Sequence, residues 1–300
     1  MEKSYFLLDQ KIKPDQSECD KEYSRTSTLR RNRRKDIRRY GKYNQMKNNK
    51  ILWIDLQPSL YCLFKRTAQN LSQYFEVKRW SFEHDLDESC DVDIVHSLLR
   101  QTIENSSTQV HLVGHGISGT IAYLYAQKYP ERVLSVSLLS VDTYSTNQWT
   151  SHYQSMRSQL PCSRFHILSH LSSLLVNRSS EQIGNIVTRL LARCLDNDFV
   201  YGSIIKSQTL ENINRANVPI LVINGEKDFV VDTQSYDRWK HYLKPGDCYQ
   251  QISGGRHFFP FTEWRQTSKM IESFIKMTPN KSQNPVPNYF INLSISKTNS

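Results

Sequence analysis

The stretch Val110-His-Leu-Val-Gly-His-Gly-Ile-Ser-Gly119 constrains the fold of this chain more than any other. Val110, Leu112 and Val113 form a short apolar run of the kind buried in a parallel sheet. They lead directly into Gly114, Gly116, Ser118 and Gly119. So many small residues within six positions allow a strand to turn sharply into a helix, with the two backbones in close approach. Similar units recur along the chain. A strand at 51–55 leads to a helix near 60–74, then a strand over 77–82 and a helix over about 91–105, where Val92, Ile94, Val95, Leu98, Leu99 and Ile103 share helical spacing. A helix over 118–129 and a strand over 134–141 follow the glycine-rich turn. Alternating strands and helices predict an α/β fold with a doubly wound, mostly parallel sheet.

The glycine-rich turn is similar to the Gly-x-Ser-x-Gly nucleophile elbow of the α/β-hydrolases, which joins a buried strand to a helix. Here it reads Gly114-His115-Gly116-Ile117-Ser118, so Gly116 stands where the serine belongs. In the family pattern the nucleophile lies fourteen residues before the proline of a Pro-Glu-Arg-Val, and counting back from Pro130 lands on Gly116. A shifted register, Gly116-Ile117-Ser118-Gly119-Thr120, makes Ser118 the nucleophile, but it places Thr120 where strand and helix are most crowded. His115, beside the turn, reads as a packed and hydrogen-bonded residue rather than a base.

The resemblance also implies an acid and a histidine, in the order nucleophile, acid, histidine. Val218-Pro-Ile-Leu-Val-Ile-Asn-Gly-Glu-Lys-Asp228 reads as a buried strand, a glycine turn and an acid, so Asp228 is the match. Asp142, after the strand 134–141, is the alternative acid. Cys248-Tyr-Gln-Gln-Ile-Ser-Gly-Gly-Arg-His257 reads as a short strand and a glycine-rich loop, so His257 is the match, with a final helix over about 262–277. For the oxyanion hole the resemblance implies the N–H of Ile117 and a second from Leu56 or Gln57, although the family's His-Gly pair is absent after the strand 51–55.

A serine hydroxyl attacks a carbonyl only when a histidine takes its proton and an acid fixes the histidine tautomer. With Gly116 in that place the covalent route is closed. Three readings follow. The chain is a non-hydrolytic α/β-hydrolase-fold protein that binds a small apolar or ester-like molecule or a partner. Alternatively, His257 and Asp228 act as a general-base dyad in a hydrolase-like or lyase-type reaction without a covalent intermediate. As a third, it is an adaptor that docks on nucleic acid or an anionic membrane through a basic arm.

That arm emerges from the charge distribution. Residues 21–50 hold twelve Lys and Arg against Glu22 and Asp36, a net of +10. The whole chain carries 39 basic against 29 acidic residues, also +10, so the rest is neutral overall. Residues 1–50 therefore read as a basic, disordered arm, the core as 51–143 and 214–278, and 279–300 as a polar tail. The region 144–213 interrupts the alternation and is similar to the helical cap of many α/β-hydrolases. Ile167, Leu168, Leu171, Leu174 and Leu175 predict one of its helices, and Ile183, Ile186, Val187, Leu190 and Leu191 another. Trp149, Tyr153 and Phe165 read as pocket-lining or core residues.

No apolar run approaches the roughly 18 residues of a spanning helix, and no signal peptide is evident. The six cysteines lack Cys-x-x-Cys spacing. They read as buried reduced thiols, with Cys62 or Cys162 as the alternative nucleophiles. No metal or cofactor is called for. An intracellular location follows, cytoplasmic or, given the heavy use of Lys, Asn, Ser and Ile, a plastid stroma. Within the family, uncharacterised cyanobacterial and plastid proteins are the type most resembled.

Overall fold

The computed structural model describes residues 49–81, 91–105, 109–177, 180–198 and 215–278. The basic arm up to residue 48, the polar tail from 279 and residues 199–214 of the inserted region lie outside the described residues. Six strands form one all-parallel sheet: β1 Lys50–Ile54, β2 Glu76–Trp80, β3 Val110–His115, β4 Val133–Leu139, β5 Ile220–Gly225 and β6 Cys248–Ile252. Their order across the sheet is β2-β1-β3-β4-β5-β6. The helices are α1 Lys65–Leu71, α2 Val92–Glu104, α3 Ile117–Lys128, α4 Trp149–Gln159, α5 Arg164–Leu175, α6 Glu181–Asn197, α7 Ser235–Lys240, the single turn α8 Phe259–Thr262, and α9 Trp264–Met277.

The period-two alternation of strand side chains divides each apolar strand between the two faces of the sheet. In β1, Leu52 and Ile54 join one buried cluster with Leu112, Val136, Val222, Tyr123 and Trp239. Ile51 and Trp53 join the other, with Val113, Leu139, Ile223, Leu168, Leu171 and Ile271. The central strands β3, β4 and β5 are buried along their whole length, as a sheet covered on both faces requires. The expected single helix near 60–74 is instead a 3-10 segment, Pro58–Leu63, followed by α1. Pro58, the first residue of that segment, removes one backbone donor.

Among the described residues, three helices, α4 to α6, fall between β4 and β5, within the region read as an insertion. Their buried residues Trp149, Ile167, Leu171, Val187 and Leu191 share the second apolar cluster with the sheet. One expectation fails here. Phe165 is 58 % exposed, so it is not core. Phe165 stands in the first turn of α5 beside His166 and not on the face that carries Ile167, Leu168 and Leu171.

The chain order places the site. From β1 the chain moves outward to β2, then returns to the other side of β1 to make β3. Such a reversal leaves a crevice outside the carboxyl ends of the two strands, where α/β sheets hold ligands. Here those ends carry Asp55–Gln57 and Gly116.

Candidate active site

Gly116 sits between β3 and α3 with φ +51° and ψ −124°, a left-handed conformation that favours glycine. Its N–H donates to the Leu139 carbonyl at 3.0 Å, which ties the turn to β4. The flanking small residues are required by contact. A Cβ on Gly114 would lie 2.6 Å from the Gly119 nitrogen, and one on Gly119 would lie 2.5 Å from Val141 Cγ2 and 2.8 Å from the Gly114 oxygen. Gly119→Ala is therefore expected to lower the unfolding free energy by about 1–3 kcal/mol, the usual range for overpacking. A urea midpoint unchanged from wild type would refute that reading of the crossing.

Asp228 and His257 come together from the loops after β5 and β6. His257 Nδ1 lies 3.1 Å from each oxygen of the Asp228 carboxylate, and both side chains are buried. Burial acts most strongly on Asp228 and raises its pKa. The His257 charge and hydrogen bond, with the N–H groups of Val231 and Val230, together outweigh burial and hold the carboxyl below its ordinary value. An ionised carboxylate only accepts, so His257 donates to it from Nδ1, and the ring in its neutral form presents a lone pair at Nε2. That Nε2 is buried and has no hydrogen-bond partner among the described residues.

The histidine loop is anchored through one carbonyl. The His257 oxygen accepts from His115 Nε2 at 2.9 Å and from Ser140 Oγ at 2.7 Å. Burial, with the nearby His257, pushes the His115 pKa down to about 3, so its ring is neutral. It stacks on Phe258 with centroids 5.1 Å apart. His115 is thus a strap between elbow and histidine loop. Ser140 has a φ of 49°, rare for a residue with a side chain. Its N–H donates to the Ile223 carbonyl at 2.9 Å. Arg256 fixes the loop from the other side through Asn177 Oδ1 and the Ser173 carbonyl.

The remaining sequence candidates are placed elsewhere or already engaged. Ser118 lies within α3, and its Oγ accepts the Leu56 N–H at 3.0 Å. Asp142 is bidentate with Arg238, at 3.1 Å and 2.6 Å, and also accepts from Asn147 and the Thr143 N–H, so its oxygens serve that cluster rather than His257. The Gln57 N–H donates to Asp55 Oδ1 at 3.2 Å. Both backbone donors expected from the β1 loop thus have acceptors. Ile117, as first residue of α3, has an N–H without an intrahelical acceptor. Cys62 and Cys162 are exposed, contrary to the expectation of buried thiols, and partial burial raises the Cys62 pKa, which disfavours its thiolate.

Two residues at the site were not foreseen. Gln148 is buried, and its Oε1 lies 3.3 Å from where a Cβ on Gly116 would stand. His152, one turn further along α4, packs against Phe229 with centroids 4.6 Å apart. Its pKa is lowered chiefly by burial, then by His257. No motif marks either residue; a polar pair at 148 and 152 is ordinary on an exposed helix.

No family model matches the chain. It is 30 % identical over 228 residues to the uncharacterized protein sll0249 of Synechocystis sp., covering 75 % of this chain and 89 % of that protein. It is 29 % identical over 211 residues to the uncharacterized protein alr2406 of Nostoc sp., covering 70 % and 84 %. Among solved structures it is similar to a meta-cleavage product hydrolase of Pseudomonas fluorescens, with TM-score 0.60, 14 % identity and coverage of 77 % and 91 %. A thermophilic esterase gives 0.59, 15 %, 77 % and 90 %, and a laboratory-evolved potato epoxide hydrolase 0.57, 15 %, 77 % and 93 %. Its parallel sheet and the likeness to these structures show the α/β-hydrolase fold, and the chain belongs to one family with the uncharacterized Synechocystis protein.

Proposed function

We propose that this protein holds a small apolar or ester-like molecule non-covalently beside the Asp228–His257 dyad and forms no acyl-enzyme. The observation that carries this reading is Gly116 itself, at φ +51° on the elbow, with no side chain to attack. The nearest hydroxyl in sequence, Ser118 Oγ, accepts a backbone hydrogen bond. Two backbone donors that would stabilise an oxyanion have acceptors of their own, so the geometry supports binding better than acyl transfer. The insertion α4–α6 serves in this reading as the cap that excludes water.

The test is covalent labelling. Wild type treated with a fluorophosphonate is expected to show no mass increase, while Gly116→Ser gains one adduct per chain. A stoichiometric adduct on wild type would refute the proposal and locate the nucleophile.

A second reading is supported by His257 Nε2, a buried base without a hydrogen-bond partner among the described residues, beside Asp228. There the dyad takes a proton from water or from a substrate. It requires a turnover that His257→Ala abolishes; an unchanged rate in that variant excludes the dyad.

A further inference from the structure

Polar groups on the elbow, the start of α4 and the histidine loop define what the site can pair with. In the neutral ring of His257, Nε2 is an acceptor, because Nδ1 holds the proton donated to Asp228. Gln148 supplies a second acceptor. Its Nε2 donates to the Ser145 carbonyl at 3.3 Å, which can only accept, so Oε1 is the amide atom turned towards Gly116. His152, four residues on, packs against Phe229, the neighbour of Asp228 in sequence, with ring centroids 4.6 Å apart, which places the first turn of α4 beside the acid loop. On the donor side, the Leu56 and Gln57 N–H groups have acceptors, which leaves the first-turn N–H of Ile117. Trp149, Val230 and Phe258, close in sequence to Gln148, Asp228 and His257, belong to one buried apolar cluster, and Tyr153 and Phe229 pack against that cluster.

We infer that this site recognises a primary carboxamide, its NH₂ donating to Gln148 Oε1 and His257 Nε2 and its carbonyl accepting from Ile117 N–H. This narrows the non-covalent reading above and rests on it. An ester offers acceptors only, so it would leave the buried His257 Nε2 unpaired and could not use Gln148 Oε1, which is costly. A primary amide carries two donors and one acceptor, the complement of what the site presents. Its neutrality suits an apolar surround, where an ammonium would lose its hydration. Gln148 is then the specificity-determining residue, because it supplies the second acceptor beside a glycine that has no hydroxyl.

The experiment uses full-length protein labelled with ¹⁵N-histidine. Acetamide, butyramide and benzamide are titrated against their matched methyl esters and N,N-dimethyl amides, while the His257 Nε2 resonance and the affinities are followed. At least one primary amide is expected to shift His257 Nε2 and to bind tenfold or more tightly than its two matched analogues. Gln148→Leu is expected to weaken that amide by about tenfold, the worth of one buried hydrogen bond, and to leave the ester unaffected. Analogues that bind as well as the amide, or amides that leave the His257 resonance in place up to their solubility limit, overturn the inference. The wild-type comparison decides this even if Gln148→Leu fails to fold. Neither outcome affects the labelling test, whose failure alone would remove the non-covalent reading.

Discussion

Gly116→Ser is expected to turn a protein that leaves p-nitrophenyl acetate intact into one that hydrolyses it, about 10³-fold above the wild-type rate. In a triad enzyme the serine and histidine together are worth about 10⁶ in turnover. Each missing oxyanion donor costs about 10²–10³. His257 and Asp228 are already joined, with Nδ1 3.1 Å from both carboxylate oxygens, so the new hydroxyl would find its base in place. The oxyanion side is weaker, because the Leu56 N–H donates to Ser118 and the Gln57 N–H to Asp55. Gln148 Oε1, 3.3 Å from the new Cβ, would also compete with His257 for the hydroxyl proton. Adding Gln148→Ala should therefore raise the rate further, and adding His257→Ala should abolish it. The serine must adopt the left-handed conformation of Gly116, at a cost of about 1–2 kcal/mol in stability. A folded Gly116→Ser variant without turnover would show that more than a hydroxyl is missing.

Stability is expected to fall steeply on mild acidification, by about 4 kcal/mol between pH 7.5 and pH 5.5. Three buried histidines set this. Burial pushes the pKa of His96 and His111 down to about 4, and burial with the nearby His257 takes His115 to about 3. In the unfolded chain each titrates near 6.5. Their folded-state pKa values are depressed, so the neutral form is favoured by folding. Their contribution is intact above pH 6.5 and is lost as pH falls towards 4, while the unfolded chain takes up protons that the native state refuses. Each histidine loses about 1.4 kcal/mol per pH unit in that window. Against a typical total of 5–15 kcal/mol, the loss by pH 5.5 is a substantial share. Urea unfolding followed at both pH values measures it. Equal unfolding free energies would mean that these rings reach water or acceptors in the native state.

The residues of the dyad were legible in the sequence because each follows directly from its own strand. Gly225 to Asp228 and Ile252 to His257 are short, glycine-containing turns, and a parallel sheet puts all such turns at one end. The elbow was legible because its crowding admits so few residue types: a Cβ on Gly114 or Gly119 meets backbone or a neighbouring side chain below 3 Å. The apolar runs of β3, β4 and β5 announced a sheet covered on both faces. Local sequence therefore determined the fold class, the order of the elements and the Asp228–His257 pair.

What surrounds that pair was decided by tertiary structure. Whether a backbone N–H is available depends on which acceptor lies across from it. Leu56 meets Ser118, a residue 62 positions away, and no local pattern encodes that meeting. Asp142 and Asp228 both follow buried strands and look alike in sequence. Only the positions of Arg238 and His257 in space give one carboxylate to a guanidinium and the other to an imidazole. Gln148 and His152 reach the site because the start of α4 meets the elbow at Gly116 and the acid loop at Phe229, and Phe165 misses the core because it stands in the first turn of its helix, off the face that carries Ile167, Leu168 and Leu171. Strand and helix periodicity states which side of its own element a residue occupies. The partner it meets there is set by contacts between segments far apart in the chain, and those contacts govern the hydrogen bonding and charge on which this site depends.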